Sequence, residues 1–360
     1  MADSDSSYRL FGIFRFGLAL LVVISHTALL AGPYLDSFLK PWGLGNIAVM
    51  VFFALSGYII AEALEVFYSR RLGGFLVNRA LRIVPPYFAA LILSVVIHAW
   101  LSSHGNVAFY DYDSAPEGMF SNSNLLSNAL LIGVLYGLGH VGLQPDYPFV
   151  RYVWAVRVEV HFYLVYAFLF WLSAVRPGGG EWRGKVMPTS FFALSVLSIV
   201  AMFTGARQLN YFSFAPYFMF GVSLYFAVEK RVMRARPAAL VSLVLSLMHF
   251  GLYVGEGSQN LVAGPALALV VLCLAIMPLA RMRVSSRTRQ VDRWLGDLSY
   301  PIYLNHYAVS ILALSLAPTR NVWVFLAGVV LCVAASWGVA QLTEPFTARL
   351  RDHIRGVALR

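Results

Sequence analysis

Ten separate apolar runs, each about 20 residues long and none alternating with polar positions, constrain this chain more than any motif in it. A helix of that length crosses the hydrocarbon core of a bilayer, whereas a transmembrane barrel would alternate apolar and polar residues. Only 12% of the 360 residues are charged, against about 25% in soluble domains. The chain therefore reads as an all-α, polytopic membrane protein with about ten transmembrane helices. The runs cover residues 10–31, 43–65, 84–103, 152–175, 188–205, 211–229, 238–255, 259–280, 297–317 and 321–343. The first contains Arg15 and lacks a small-residue cleavage site, so it reads as a span rather than a cleavable signal. Cys273 and Cys332 lie inside apolar runs, read as packing residues and imply no disulfide framework.

An eleventh segment, 125–143, is apolar but carries Asn128 and His140, and charge decides its reading. If it does not cross, both termini are cytoplasmic, twenty Lys and Arg residues fall in inside loops or the C-terminal tail, and four (Lys40, Arg151, Arg207 and Arg320) fall outside. If it crossed, every later loop would change sides and the bias would reverse, against the rule that basic residues stay inside. The segment is expected to be re-entrant or interfacial. The formal charge of +10 then reflects inside loops in contact with lipid, and no nucleic-acid partner is expected. Residues 1–346 read as one transmembrane domain and 347–360 as a basic cytoplasmic tail. The outer stretch 104–151, rich in Ser, Asn, Asp, Gly and Tyr, reads as a solvated loop or as a cover over an outer mouth that meets a hydroxylated acceptor.

Ionisable side chains inside a span are costly and need a reason. Glu159 lies roughly 10 Å below the outer face and His26 roughly 8 Å, at 1.5 Å per residue. That match allows a His–carboxylate contact in which one imidazole nitrogen is held and the other acts as a base. A structural ion pair of Glu159 with Arg157 competes with this reading. Arg15 precedes His26 by 11 residues, about three turns, so both share a face; Arg15 either lines a polar path or reaches back to the interface. Tyr303, Asn305 and His306 add polar groups to the ninth run. At the cytoplasmic edge, Arg79 and Arg82 share a helix face just before Pro85 and Pro86, which are expected to open the third span. Two guanidinium forks suit a phosphate-bearing cytoplasmic ligand; the alternative is a topology anchor.

Six segments, taken in order, resemble acyltransferase family 3, bacterial membrane enzymes that acylate sugars and other hydroxyl acceptors. They are Phe14-Arg15-Phe16-Gly17 through Ser25-His26, Phe52 to Tyr58, Arg79 to Pro85, Trp154 to Glu159 with Phe162-Tyr163-Leu164, Leu298 to His306, and Glu344-Pro345-Phe346. The resemblance implies an acyl-CoA donor, usually acetyl-CoA, with Arg79 and Arg82 in donor handling. It implies an essential histidine at His26, and positions of importance at Arg15 and Glu159. The same segments nominate Trp154, Arg157, Tyr303, Asn305 and His306 as substrate contacts. Where the family commonly reads Trp-Ser-Leu-Ser-Val-Glu, this chain reads Trp154-Ala155-Val156-Arg157-Val158-Glu159, a departure that puts a charge at Arg157.

The expected function is transfer of an acyl, usually acetyl, group from cytoplasmic acyl-CoA to a hydroxyl of a surface-destined saccharide, in the bacterial cytoplasmic membrane and without a metal. His26, oriented by Glu159, would act as base, or would carry the group as a transient acyl-histidine. A lipid or macrolide-like acceptor is a lesser alternative. The rival class is a proton-coupled secondary transporter, which also uses intramembrane Glu, His and Arg.

Overall fold

The computed structural model describes residues 8–68, 71–104, 117–130, 147–175, 179–204, 207–255, 263–317 and 319–356. Arg70, Arg176, Arg360, His140 and most of the stretch 104–151 lie outside the described residues. Twelve α-helices are described: α1 (Phe11–Thr27), α2 (Pro33–Leu39), α3 (Leu44–Glu62), α4 (Leu72–Ser103), α5 (Asn122–Leu130), α6 (Trp154–Val175), α7 (Gly179–Thr204), α8 (Ala215–Val228), α9 (Ala235–Gly255), α10 (Ala263–Leu279), α11 (Ser286–Leu316) and α12 (Val322–Arg355). Among the described residues the only β-pairing is one isolated bridge, Tyr8 with Met282. A helix occupies each of the ten apolar runs. Among the described residues, seven helical segments are long and apolar enough to cross a membrane, and two shorter apolar helices, Thr189–Thr204 and Ala263–Leu279, accompany them. Large apolar side chains stand outward on α12, with Val330 67% and Leu342 79% exposed. Such a surface suits lipid rather than water. This is a multi-pass helical membrane protein.

The chain divides into two compact units. The first holds Met1–Ala48, Ile83–Ala155 and Pro278–Thr347; the second holds Val49–Arg82, Val156–Met277 and Ala348–Arg360.

The first unit is built on α1 and α11. Ile13 meets Asp292 and, further along both helices, His26 meets His306, so the two helices run parallel. Small residues let membrane helices approach closely where no hydrophobic force drives them together. A Cβ at Gly12 would overlap the Asp292 carbonyl oxygen, and one at Gly296 would stand 2.9 Å from the Gly12 Cα. Asp292, only 3% exposed, then caps α1 from outside. The N-cap position of α1 is Leu10, which has no side-chain acceptor; Asp292 Oδ1 accepts from the Ile13 N–H at 2.7 Å instead, and its Oδ2 accepts from the Tyr8 hydroxyl at 3.0 Å. A carboxylate at a helix N-terminus meets unpaired N–H groups and the positive end of the dipole.

Two expectations about helix ends change. The prolines do not open the third span: α4 starts at Leu72 and runs through Pro85 and Pro86. Each proline removes one helical hydrogen bond, and beside them the Tyr300 hydroxyl donates to the Ile83 carbonyl at 3.3 Å. The apolar run therefore marks the stretch in lipid and not the length of the helix. Likewise, α12 continues unbroken past residue 346 to Arg355. The described part of segment 125–143 lies in α5, whose nine residues span about 14 Å, under half a bilayer core. Asn124 and Asn128 fasten α5 through bonds to the backbone of Tyr147 and Phe149.

In the second unit α3 crosses α8 at another glycine pair. A Cβ on Gly57 would overlap the Phe218 carbonyl oxygen, and one on Gly221 would overlap that of Ala54. Residues Ala215 to Tyr225 of α8 are all buried, so this helix is apolar on every side because it meets protein on every side.

Candidate functional site

Two groups of polar residues in the first unit lie at the two ends of the α1–α11 pair. At the end near Thr27, a cavity of about 320 Å³ is lined by Ser25, His26 and Leu29, by Asp36, Lys40, Gly43 and Asn46 from the segment that leads into α3, by Arg151 and Tyr152 ahead of α6, and by Tyr307 and Ser310 of α11. Its walls carry hydroxyls, an amide, two cations and one carboxylate around a single imidazole. The Tyr152 ring lies flat on His26, with centroids 4.1 Å apart and planes 11° apart. Arg151 donates to the Tyr307 hydroxyl at 3.1 Å, with its guanidinium 5.4 Å from the ring centroid. His26 Nδ1 is 2.9 Å from His306 Nε2, while His26 Nε2 lies 3.3 Å from where a Cβ of Gly45 would stand. The absence of a side chain at Gly45 keeps space open against that nitrogen.

At the other end of the pair, the Arg15 guanidinium lies over Gly296, where a Cβ would come within 2.6 Å of it. Burial, then the Asp292 carboxylate, pushes the Tyr8 hydroxyl above its usual pKa of 10.0.

The second unit holds the arginine pair. Arg79 is 8% exposed, and its guanidinium faces the rings of Phe75 at 5.2 Å and Tyr163 at 5.1 Å. Tyr163 also lies in the field of Arg82 and donates its hydroxyl to Glu159 Oε1, which accepts in addition from Ser56 Oγ at 2.6 Å. The end of α12 joins this region. Arg71 donates to the carbonyls of Phe67 and Arg355, Asn78 donates to the carbonyl of Arg351, and the Arg355 guanidinium stacks 3.5 Å from the Phe67 centroid. Four arginines (Arg79, Arg355, Arg71 and Arg351) act on the Tyr68 hydroxyl and oppose the upward push of its burial. Among the described residues, the buried Nε atoms of Arg79 and Arg355 have no hydrogen-bond partner. A cluster of guanidinium groups of this kind is suited to phosphate oxygens.

A family model described as an acyltransferase domain matches residues 11–341. The chain belongs to acyltransferase family 3. The O-acetyl transferase of Shigella phage Sf6 is 27% identical over 154 residues, which is 42% of this chain and 42% of that protein. No solved structure matches the chain.

In this member of the family, the residues singled out from sequence fall into two groups. His26, Arg15, Trp154, Tyr303, Asn305 and His306 belong to the first unit; Arg79, Arg82, Arg157 and Glu159 belong to the second. Within the first, His26, Tyr303 and His306 come together. Tyr303 and His306 are buried behind His26, and Asn305 turns to Ser336 of α12 at 3.4 Å. Trp154 opens α6, next but one to Tyr152. Within the second, Glu159 comes together with Arg79 through Tyr163, and the Arg157 carbonyl holds His161 Nδ1 at 2.7 Å. Sequence reading missed Asp36, Lys40 and Arg151, because residues outside the apolar runs carry no periodic signal, and Tyr152, the first residue of the fourth run, because a tyrosine at a span end does not by itself mark a functional position. It also missed Asp292, which lies in the charged first turns of α11 and is buried only because α1 begins against it.

Proposed function

We propose that this protein moves an acyl group, in the first place acetyl, from cytoplasmic acyl-CoA to a hydroxyl of a surface-destined saccharide, within the bacterial cytoplasmic membrane. The observation that carries this reading is His26 in the wall of a hydroxyl-rich, charged cavity, in a member of acyltransferase family 3. The acceptor hydroxyl gives its proton to His26 Nε2 as its oxygen bonds to the thioester carbonyl carbon; the C–S bond then breaks and the CoA thiolate leaves. Arg151, Lys40, Asp36 and the flat face of Tyr152 fit a ring with several hydroxyls, which supports a saccharide acceptor over a lipid tail. Arg79 and Arg82 bind the donor phosphates, with Arg71 and Arg355 beside them, and Arg15 binds negative charge. The membrane arrangement is ten spans with both termini cytoplasmic. The parallel course of α1 and α11 supports it, since parallel spans need an odd number of crossings between them.

Glu159 has contacts within its own unit that favour a second role besides that of an orienting carboxylate. Its bonds to Ser56 and Tyr163, with Arg79 on the same Tyr163 ring, favour a role in steadying the donor-binding arginine.

The test is purified protein in lipid nanodiscs with radiolabelled acetyl-CoA and a panel of methyl glycosides. Release of free CoA thiol together with label on a glycoside is expected. Intact acetyl-CoA under all conditions, with proton-driven uptake in vesicles, would instead identify a transporter.

A further inference from the structure

The hydrogen bonds behind His26 determine which of its nitrogens can act. His306 Nδ1 lies 2.6 Å from the backbone carbonyl oxygen of Tyr303. A carbonyl oxygen only accepts, so the hydrogen is on His306 Nδ1. In a neutral imidazole the lone pair is then on Nε2, and that atom is 2.9 Å from His26 Nδ1. Two lone pairs cannot make this contact, so His26 Nδ1 carries a hydrogen and the lone pair of His26 is left on Nε2. A doubly protonated His306 would escape this sequence of constraints. It would place a charge on a side chain 1% exposed, next to a second imidazole that sits near Arg151, and an unpaired buried charge is expensive. The two ring planes are 21° apart and the centroids 5.0 Å apart.

We infer that His306 is the positioning residue that holds His26 in its Nδ1–H tautomer, so that Nε2 is presented to the cavity as the proton acceptor. The inference rests on the reading of His26 as the base. His306 does for His26 what a buried carboxylate does in the hydrolytic triads, with an uncharged acceptor in place of an anion. When Nε2 takes the acceptor proton, the Nδ1–H···Nε2 bond becomes charge-assisted and strengthens. Tyr303 completes the arrangement twice over. Its carbonyl fixes His306, and its hydroxyl donates at 2.6 Å to the carbonyl of Tyr152, the residue whose ring lies on His26. An uncharged partner suits an apolar span, where a carboxylate would itself have to be neutralised.

The tautomer is read directly by ¹⁵N spectra of histidine-labelled full-length protein in detergent micelles, with the His26 signals identified by their loss in His26→Ala. The expected spectrum has a protonated, pyrrole-type Nδ1 and a lone-pair, pyridine-type Nε2 at His26. His306→Leu removes the acceptor; it should shift His26 toward the other tautomer and lower kcat at least about tenfold, part of the 10²–10⁴ a general base supplies. The acyl-CoA KM should stay within about twofold, a split that simple loss of structure would not give. His306→Gln returns an acceptor near the former Nε2 and should recover part of the lost kcat. A pyridine-type Nδ1 at His26 in the parent, or parental kcat in His306→Leu, would overturn the inference. Transfer that persists in His26→Ala would remove the base reading instead, and the spectrum of the parent would still decide the tautomer.

Discussion

Gly45 owes its importance to the nitrogen opposite it. A methyl group there would stand 3.3 Å from both His26 Nε2 and Ser25 Oγ, so a larger side chain would fill the approach to the base. Gly45→Val is expected to lower kcat by at least about tenfold with little change in donor binding; a parental rate would show that acceptors approach His26 from another side. Arg79→Lys keeps the charge and loses the planar fork over two rings. An approximately tenfold weaker Kd for CoA is expected, about 1.4 kcal/mol, in a protein that still folds, and an unchanged Kd would make Arg79 an anchor. Glu159→Gln separates two roles. Weaker CoA binding with a preserved chemical step places it with Arg79, whereas a slower step with normal CoA binding returns it to the orientation of His26. His26 was legible in the sequence because an imidazole inside an apolar run stands out, as does Glu159. Their partners were not, since equal depth says nothing about which helices are neighbours. The imidazole that meets His26 Nδ1 comes from a residue 280 positions away.

At the scale of helices, the apolar runs predicted where helices lie but not how long they are or which ones pair. Charged turns such as Ser286 to Asp292 in α11 and Leu72 to Arg82 in α4 continue beyond the lipid, and hydropathy cannot distinguish such an extension from a loop. The α1–α11 contact depends on two glycines and one carboxylate. Gly12→Ala or Gly296→Ala forces the helix backbones apart, and overpacking of this kind costs about 1–3 kcal/mol. Asp292→Ala strands the Ile13 N–H and the Tyr8 hydroxyl, at about 1–3 kcal/mol for each buried group left unpaired. Thermal unfolding in detergent should show a lower Tm for all three variants; an unchanged Tm in Asp292→Ala would mean the cap contributes nothing. Tyr8 adds a pH dependence. Its folded pKa is raised, so its contribution is complete below the unfolded value of 10.0 and is lost as pH rises through the folded value. Tyr8→Phe should remove that alkaline loss.

For the whole molecule, the account requires donor and acceptor to meet the protein from opposite faces of the membrane. Charge bias and the parallel course of α1 and α11 support the ten-span arrangement on which this proposal rests. Reporters fused after Gly180 and after Gly257 should read cytoplasmic and outside, respectively; a cytoplasmic signal at Gly257 would break the ten-span arrangement. The most direct measurement uses proteoliposomes with one orientation of the protein, radiolabelled acetyl-CoA on the side of the termini and methyl glycosides on the other side. The account predicts label on the glycoside across the sealed membrane, lost in His26→Ala while CoA binding remains. Label that appears only when donor and glycoside share one compartment would contradict it.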